Sequence, residues 1–459
     1  MADAVSRSTN SRVGGAPVSR ILCLLLVATI PALAFAQRKT REEKVREDRQ
    51  RVEADGFWMY NDLPGAFEKA RETGKPLLVV LRCIPCEECV KLDDDLVDKD
   101  PVIRPLLDKF ICVRQVSMNG LDLSLFQFDT DQSFAVFMLN ADNTVYGRFG
   151  TRSHRAEWLQ DVSIAGLAKA LQGALKLHAN YPANKDTLAG KHGKPMEVAS
   201  PEQFPSLRDK YTDSLNVKGD VVKSCIHCHQ IGDAQRTWYR ASGKPIPEHV
   251  LYSYPHPRTI GLVMDPEEMA TIEDIEPTSA ADRSGLRPGD RIEMFDGQAI
   301  LSTADIQWVL HNIDASGGPV SLSVMRNGVR VDTLLRLNAD WRRAGDISWR
   351  VSSWGLRRMA TGGLLLKTLP DEERSKLGIG DGTMSLRVWR VGQYGPHAAA
   401  KKAGFQRGDV IVTFDGHTDL MTDTAVLTYG VTERRPGDRV DVVVLRDGKR
   451  KTLRMPMQE

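Results

Sequence analysis

Two cysteine clusters carry the chemistry open to this chain. Cys83-Ile84-Pro85-Cys86 sets two thiols three residues apart, and Cys89 continues the same spacing. The motif follows the apolar run 77–81 and leads into a helical pattern. A thiol at a helix N-terminus meets unpaired N–H groups and the positive end of the dipole, which favour its thiolate. Three readings are open: a redox dithiol at Cys83 and Cys86, a metal such as zinc held by Cys83, Cys86, Cys89 and a fourth ligand, or a structural Cys89–Cys112 disulfide. The second cluster is Cys225-Ile226-His227-Cys228-His229. It fits C-x-x-C-H, in which two thiols reach the vinyl groups of a c-type haem and the adjoining His229 ligates the iron. A local disulfide, or a zinc knuckle using His227, is the alternative. No distal ligand stands out among His249, His256, Met264 and Met269.

Both clusters sit in a chain that reads as exported. Arg7, Arg12 and Arg20 precede an apolar run over 21–34 that ends in Ala34-Phe35-Ala36, the pattern of a cleavable signal. The run is short for a membrane span, which needs about 20 apolar residues, so none is expected after cleavage. Cys23 leaves with residues 1–36, and the other six cysteines meet an oxidising compartment. Charged residues make up 27% of the chain with a formal net charge of +2, so the basic excess of a nucleic-acid-binding protein is missing.

The elements that must position the clusters follow in order. Residues 37–55 are charged throughout and read as a solvated linker or a short exposed helix. Over 56–178 a helix (63–72), strands (77–81, 110–116, 135–139, 144–149) and a last helix (164–177) describe an α/β layer. Residues 179–205, rich in Asn, Pro, Gly and Lys, read as a linker, and 206–257 as a small, mostly helical segment around C-x-x-C-H.

The remainder is an internal repeat, 258–341 and 342–459. Ser284-Gly285-Leu286-Arg287-Pro288-Gly289-Asp290 is matched by Ala403-Gly404-Phe405-Gln406-Arg407-Gly408-Asp409, and Phe295-Asp296-Gly297 by Phe414-Asp415-Gly416. Helices capped by Ser302 and Thr422 follow, then hairpins turning at Asn327-Gly328 and Asp447-Gly448. Both copies resemble the PDZ domain, which implies two PDZ-like β-barrel repeats. The resemblance implies that a loop before a strand offers backbone N–H groups to a peptide carboxylate, while the peptide adds a strand beside the helix. The matching loops are placed at Gly261-Leu262 and at Gly355-Leu356. The second copy holds an insertion around 359–384, expected to cover its groove. No G-x-S-x-G elbow or triad precedes the repeats, which disfavours a protease.

The 56–178 module resembles the thioredoxin fold, which implies that Cys83 attacks and Cys86 resolves. It departs at Gln132-Ser133-Phe134, where thioredoxins place a cis-proline. The whole order resembles a family of exported thioredoxin-like/PDZ-domain proteins, some carrying selenocysteine. The expected architecture is multi-domain, α/β plus α+β. The expected function is a thiol redox protein bearing a c-type haem at Cys225, Cys228 and His229, with the repeats docking protein or peptide partners. The competing expectation is a non-catalytic scaffold whose cysteines brace the fold or bind metal.

Overall fold

Leu77–Arg82 is an uninterrupted apolar strand closed by an arginine, and every one of its residues is buried. Only a central strand covered on both faces can be so uniform. In the computed structural model, which describes residues 39–82, 100–152 and 162–459, this strand (β2) is the middle of a five-stranded sheet. The preceding elements are helix α1 (Arg41–Asp55), β1 (Met59–Tyr60) and α2 (Leu63–Thr73). Then come α3 (Ile103–Leu107), β3 (Ile111–Gln115), β4 (Gln132–Leu139), β5 (Val145–Arg152) and α4 (Ile164–Ala179). The sheet order is β1-β3-β2-β4-β5, with β3 parallel to β1 and β2, and β4 antiparallel to β2 and β5.

Alternation along the strands divides two cores. Leu78, Val80 and Met138 face α1, α3 and α4, meeting Val52, Leu107 and Leu171. Leu77, Val79, Leu81 and Phe137 face the other way, onto Ala66 and Ala70 of α2. Residues beyond the sheet complete this second face: Phe204, Leu207, Ile226, Cys228, Ile231 and Ala234 belong to the same cluster.

That changes the reading of three stretches. The charged N-terminal stretch is a helix, as one expectation had it, but α1 is docked rather than free. Its start is fixed by a Thr40/Glu43 capping box, Val52 is buried, and Asp48 pairs at 3.1 Å with the buried Arg82. The 179–205 stretch buries Leu188, Lys191 and Phe204, so it is packed chain rather than a free linker. The C-x-x-C-H segment has no core of its own and shares that of the sheet. Its helix, α5 (Cys228–Ala241), begins inside the motif.

The two repeats follow. The first comprises β6 (Leu262–Met264) paired with β7 (Ile272–Ile275), and a sheet of β8 (Arg291–Phe295), β9 (Gln298–Ala299), β10 (Gly318–Arg326) and β11 (Val329–Leu337). Helix α6 (Thr303–Asn312) lies between β9 and β10 in the chain and is capped by Ser302. The second begins with helix α7 (Ser353–Thr361). One five-stranded sheet follows: β12 (Leu364–Thr368), β13 (Leu386–Val391), β14 (Val410–Phe414), β15 (Arg439–Arg446) and β16 (Lys449–Pro456). Helix α8 (Asp423–Thr432), between β14 and β15, is capped by Thr422. Both hairpins turn where Asn-Gly and Asp-Gly place them, β10 into β11 and β15 into β16. Residues 40–459 group as one compact body.

Candidate functional site

The thiols of Cys83, Cys86 and Cys89 lie outside the described residues, and so do residues 1–36, expected to be a signal. What the structure places is their doorway: β2 ends at Arg82, one residue before Cys83. At the same end of the sheet, the chain leaving β3 over 116–119 meets the second cysteine cluster. Met118 N–H donates to the Ile226 carbonyl at 3.0 Å, and Ile226 N–H donates to Asn119 Oδ1 at 2.8 Å. Cys225 Sγ lies 3.8 Å from the Val116 carbonyl. Residue spacing alone gave no sign that the second cluster sits at the end of the sheet where β2 closes. The signal was the apolar pattern of Ile226, Ile231 and Ala234, which needs a surface to cover.

Of the described cysteines, Cys112 and Cys225 are free thiols. Cys112 is buried on β3 and its Sγ approaches the Leu107 carbonyl at 3.4 Å. Burial pushes its thiol far up, so it acts as a small apolar side chain rather than a nucleophile. Burial also raises the Cys225 thiol, an effect that Ser117 opposes. His227 and His229 stack in parallel with ring centroids 5.7 Å apart. Burial holds His229 below its usual range and His227 down at about 4, so both rings are neutral at pH 7.

Cys225, Cys228 and His229 are the right donor types for a covalent haem, but among the described residues the cavity that reaches Cys225 is too small to hold one. Cys228 is 7% exposed and Ile226 0%. The cavity that reaches Cys225, walled by Val45, Val116, Leu215, Val221 and His227, measures about 10 Å³. Ligand pockets for drug-sized molecules start near ~300 Å³. A 320 Å³ cavity lies across the Val45–Leu215–Val221 wall, lined by Arg46, Tyr60, Gln115 and Asn119, and neither thiol faces it. No step is therefore routed through haem. Among the described residues, no group of three His, Cys, Asp or Glu side chains is arranged to hold a metal ion.

The first repeat's loop sits where the sequence put it. Gly261 has φ +88°, and a Cβ there would stand 2.0 Å from Ser279 Oγ, so only glycine fits. Leu262 is fully buried and opens β6. The Gly261 N–H already donates to Arg258 O at 2.9 Å. The helix beside the loop is covered as well. Tyr254 stacks on His311 of α6 with centroids 4.1 Å apart, and Gln307 donates to its carbonyl. The amino end of α6 is pinned to β5 by Asp305, which accepts from Arg148 N–H at 3.1 Å.

The second loop is corrected. Gly355 and Leu356 are inside helix α7, with Leu356 fully buried, and cannot present a row of loop amides. The loop equivalent to Gly261-Leu262 is Gly363-Leu364, preceded by Gly362: both glycines have positive φ, +59° and +93°, and β12 starts at once after them. Thr361-Gly362-Gly363-Leu364 was the available signal, since it parallels Thr259-Ile260-Gly261-Leu262. The insertion is real but shifted. It forms the β12–β13 connection, where Leu369 and Ile379 pack on Val410, Val412, Val443 and Leu445 of β14 and β15. It therefore covers that sheet surface, not the helix α8.

A buried charge cluster joins the modules, and sequence reasoning missed it. Arg350 reaches Asp129 at 2.6 Å and Asp131 at 3.3 Å, while Ser352 donates to Asp131 through its N–H at 2.9 Å and its hydroxyl at 2.6 Å. Arg236 of α5 stands 3.8 Å from Asp131 and donates to Ser352 Oγ. Against the cost of burial, Arg350, Arg236 and Ser352 hold the Asp131 carboxyl below its usual range. Burial wins at Asp129, whose carboxyl is held above it. These aspartates occupy the turn into β4, immediately before Gln132-Ser133-Phe134.

Comparison with known proteins agrees with this anatomy. Residues 58–141 match a thioredoxin-like family model, and 259–337 and 374–457 each match the PDZ domain model. The chain contains a thioredoxin-like domain and two PDZ domains. The second match begins after β12, within the long β12–β13 connection. A probable periplasmic serine endoprotease DegP-like of Halomonas elongata is 27% identical over 190 residues, 40% of this chain and 35% of the relative. A probable periplasmic serine protease do/HhoA-like of Haemophilus influenzae is 28% identical over 146 residues, 32% of this chain and 27% of the relative. The chain thus spans about a third of the length of these curated relatives. Of solved structures, the HtrA-type protease AlgW with tripeptide is 31% identical over 21% of this chain and 30% of its own, with a TM-score of 0.18.

Proposed function

We propose that this chain is an exported thiol redox protein in which Cys83 and Cys86 form the reactive dithiol and the PDZ domains dock a protein or peptide partner. The observation that carries the reading is a thioredoxin-like sheet whose central parallel strand leads directly into Cys-Ile-Pro-Cys. The Cys83 thiolate attacks a partner disulfide, forming a mixed disulfide and releasing one partner thiolate. Cys86 then attacks the Cys83 sulfur, expels the second partner thiolate and leaves a Cys83–Cys86 disulfide, so the partner gains the two electrons the dithiol loses. The periplasmic descriptions of the DegP-like relatives support an extracytoplasmic setting. Among the described residues, no helix is long and apolar enough to cross a membrane.

The test is a Cys86→Ser variant, which lacks the resolving thiol. It is expected to accumulate a mixed disulfide through Cys83 with a partner or a small-molecule disulfide, seen as a reductant-sensitive mass shift. Absence of any trapped adduct, with Cys83 shown free by alkylation, favours the non-catalytic scaffold. The haem reading has its own check. Protein made with a cytochrome c maturation system is expected to lack a covalent haem Soret band, and a band retained after denaturation would restore Cys225, Cys228 and His229 as a haem site.

A further inference from the structure

The groove of the second PDZ domain lies between β12, an edge strand with one unpaired side, and helix α8. The chain's own helix α7 packs along α8 and runs directly into the start of β12. Leu356, Met359 and Ala360 of α7 share one buried cluster with Leu427 and Val431 of α8. Between them the helices come so close that a Cβ on Gly430 would stand 2.6 Å from the Ala360 Cβ. Arg357 of α7 forms a buried ion pair with Asp423, the first residue of α8.

The loop amides are spent as well. The N–H groups of Gly362 and Gly363, which correspond to the carboxylate-binding loop, both donate to the carbonyl of Arg357. A peptide carboxylate arriving here finds these donors already satisfied by the last turn of α7, with positive-φ glycines closing that turn.

We infer that α7 is an intramolecular occupant of the second PDZ groove, which a partner's C-terminal peptide must displace in order to bind. The inference rests on the docking reading above. It extends that reading, because the stretch that enters α7 carries Arg350 and Ser352, the residues that grip Asp129 and Asp131 at the turn into β4 of the thioredoxin-like sheet. Displacing α7 therefore pulls on the thioredoxin-like domain, and partner capture is felt at its sheet.

The experiment uses the full chain and three proteins: wild type, Arg357→Glu, and the charge-swapped double variant Arg357→Glu/Asp423→Arg. Glutamate at 357 faces Asp423 and repels it, and the swap restores the pair. Hydrogen exchange is followed over 362–368, 423–432 and 129–134, with the β10–β11 hairpin as an internal reference. Binding is measured with a fluorescein-labelled decapeptide ending in valine with a free carboxylate, and with its C-terminal amide as control.

The single variant is expected to exchange faster over 362–368, 423–432 and 129–134, with β10–β11 unchanged. It is expected to bind the free-carboxylate peptide at least about tenfold more tightly than wild type, because apparent affinity scales with the competent fraction. The swap is expected to reverse both effects. Unchanged exchange at 362–368 and 423–432 overturns the occupant inference whatever the peptide does. Equal affinity of wild type and Arg357→Glu for the peptide overturns it too, while leaving docking intact. Faster exchange with no binding by any of the three proteins overturns the docking reading, and this inference with it.

Discussion

Arg350→Ala is expected to lower the stability of the chain by about 3–5 kcal/mol, the cost of removing one partner from a buried ion pair. Arg350, Asp129 and Asp131 are each between 1% and 4% exposed at the side chain, so the guanidinium is what compensates the two carboxylates for their lost hydration. Its removal strands two carboxylates that are neighbours of one another. Among the described residues, Arg236 is then the cation that remains beside Asp131, at 3.8 Å. A denaturant titration followed by tryptophan fluorescence measures the loss. Arg350→Lys keeps the charge without the planar fork and is expected to lose less than the alanine variant. A shift within about 0.5 kcal/mol for Arg350→Ala, the range of ordinary surface changes, would show that the cluster does not bear on the junction.

Asp305→Ala is the second large effect expected, again about 3–5 kcal/mol. Asp305 sits at the start of α6, accepts from Leu301 N–H at 3.0 Å and Arg148 N–H at 3.1 Å, and pairs at 3.1 Å with Lys191. Both side chains of the pair are 1% exposed. Burial already pulls the Lys191 ammonium below its usual range, and Asp305 is what opposes that pull. Without the carboxylate, Lys191 becomes a buried unpaired cation and two backbone N–H groups lose their acceptor. The double variant Asp305→Ala/Lys191→Met separates these costs. It is expected to recover the part due to the stranded ammonium, so the two changes should be strongly non-additive in a thermodynamic cycle. Additivity within about 0.5 kcal/mol would mean that the pair is not coupled. Asp305 also ties α6 to β5, so this variant is expected to loosen the first PDZ domain from the sheet, seen as faster exchange over 303–312.

Much of this molecule was legible before any coordinates. The strand leading to Cys83 is a run of five apolar residues, and no surface strand has that pattern. Ser302 and Thr422 cap their helices, and Asn327-Gly328 and Asp447-Gly448 turn their hairpins, because these residues act through their own backbone and the next few residues. Gly261 was legible through the PDZ resemblance, while the lack of room for a Cβ there is set by Ser279, which only the fold brings near. Gly355-Leu356 repeats the Gly-Leu pair of Gly261-Leu262, but its neighbours form a helix. Ser353–Thr361 has buried residues at 353, 356, 357, 359, 360 and 361, a helical face rather than a strand's alternation.

The sequence by itself determined the modules, their order and the residue types of both cysteine motifs, because turns, caps and periodicity are written within a few residues of where they act. Tertiary structure alone decided what the modules do to one another. Cys228 is buried under the thioredoxin-like sheet, Asp129 and Asp131 are neutralised from more than 200 positions away by Arg350, and α7 rests on α8. The physical reason is that burial and charge pairing are properties of a shared interior. An arginine in an isolated stretch of sequence reads as solvated, and only the packed body shows that it has been taken out of water and must find its carboxylates there.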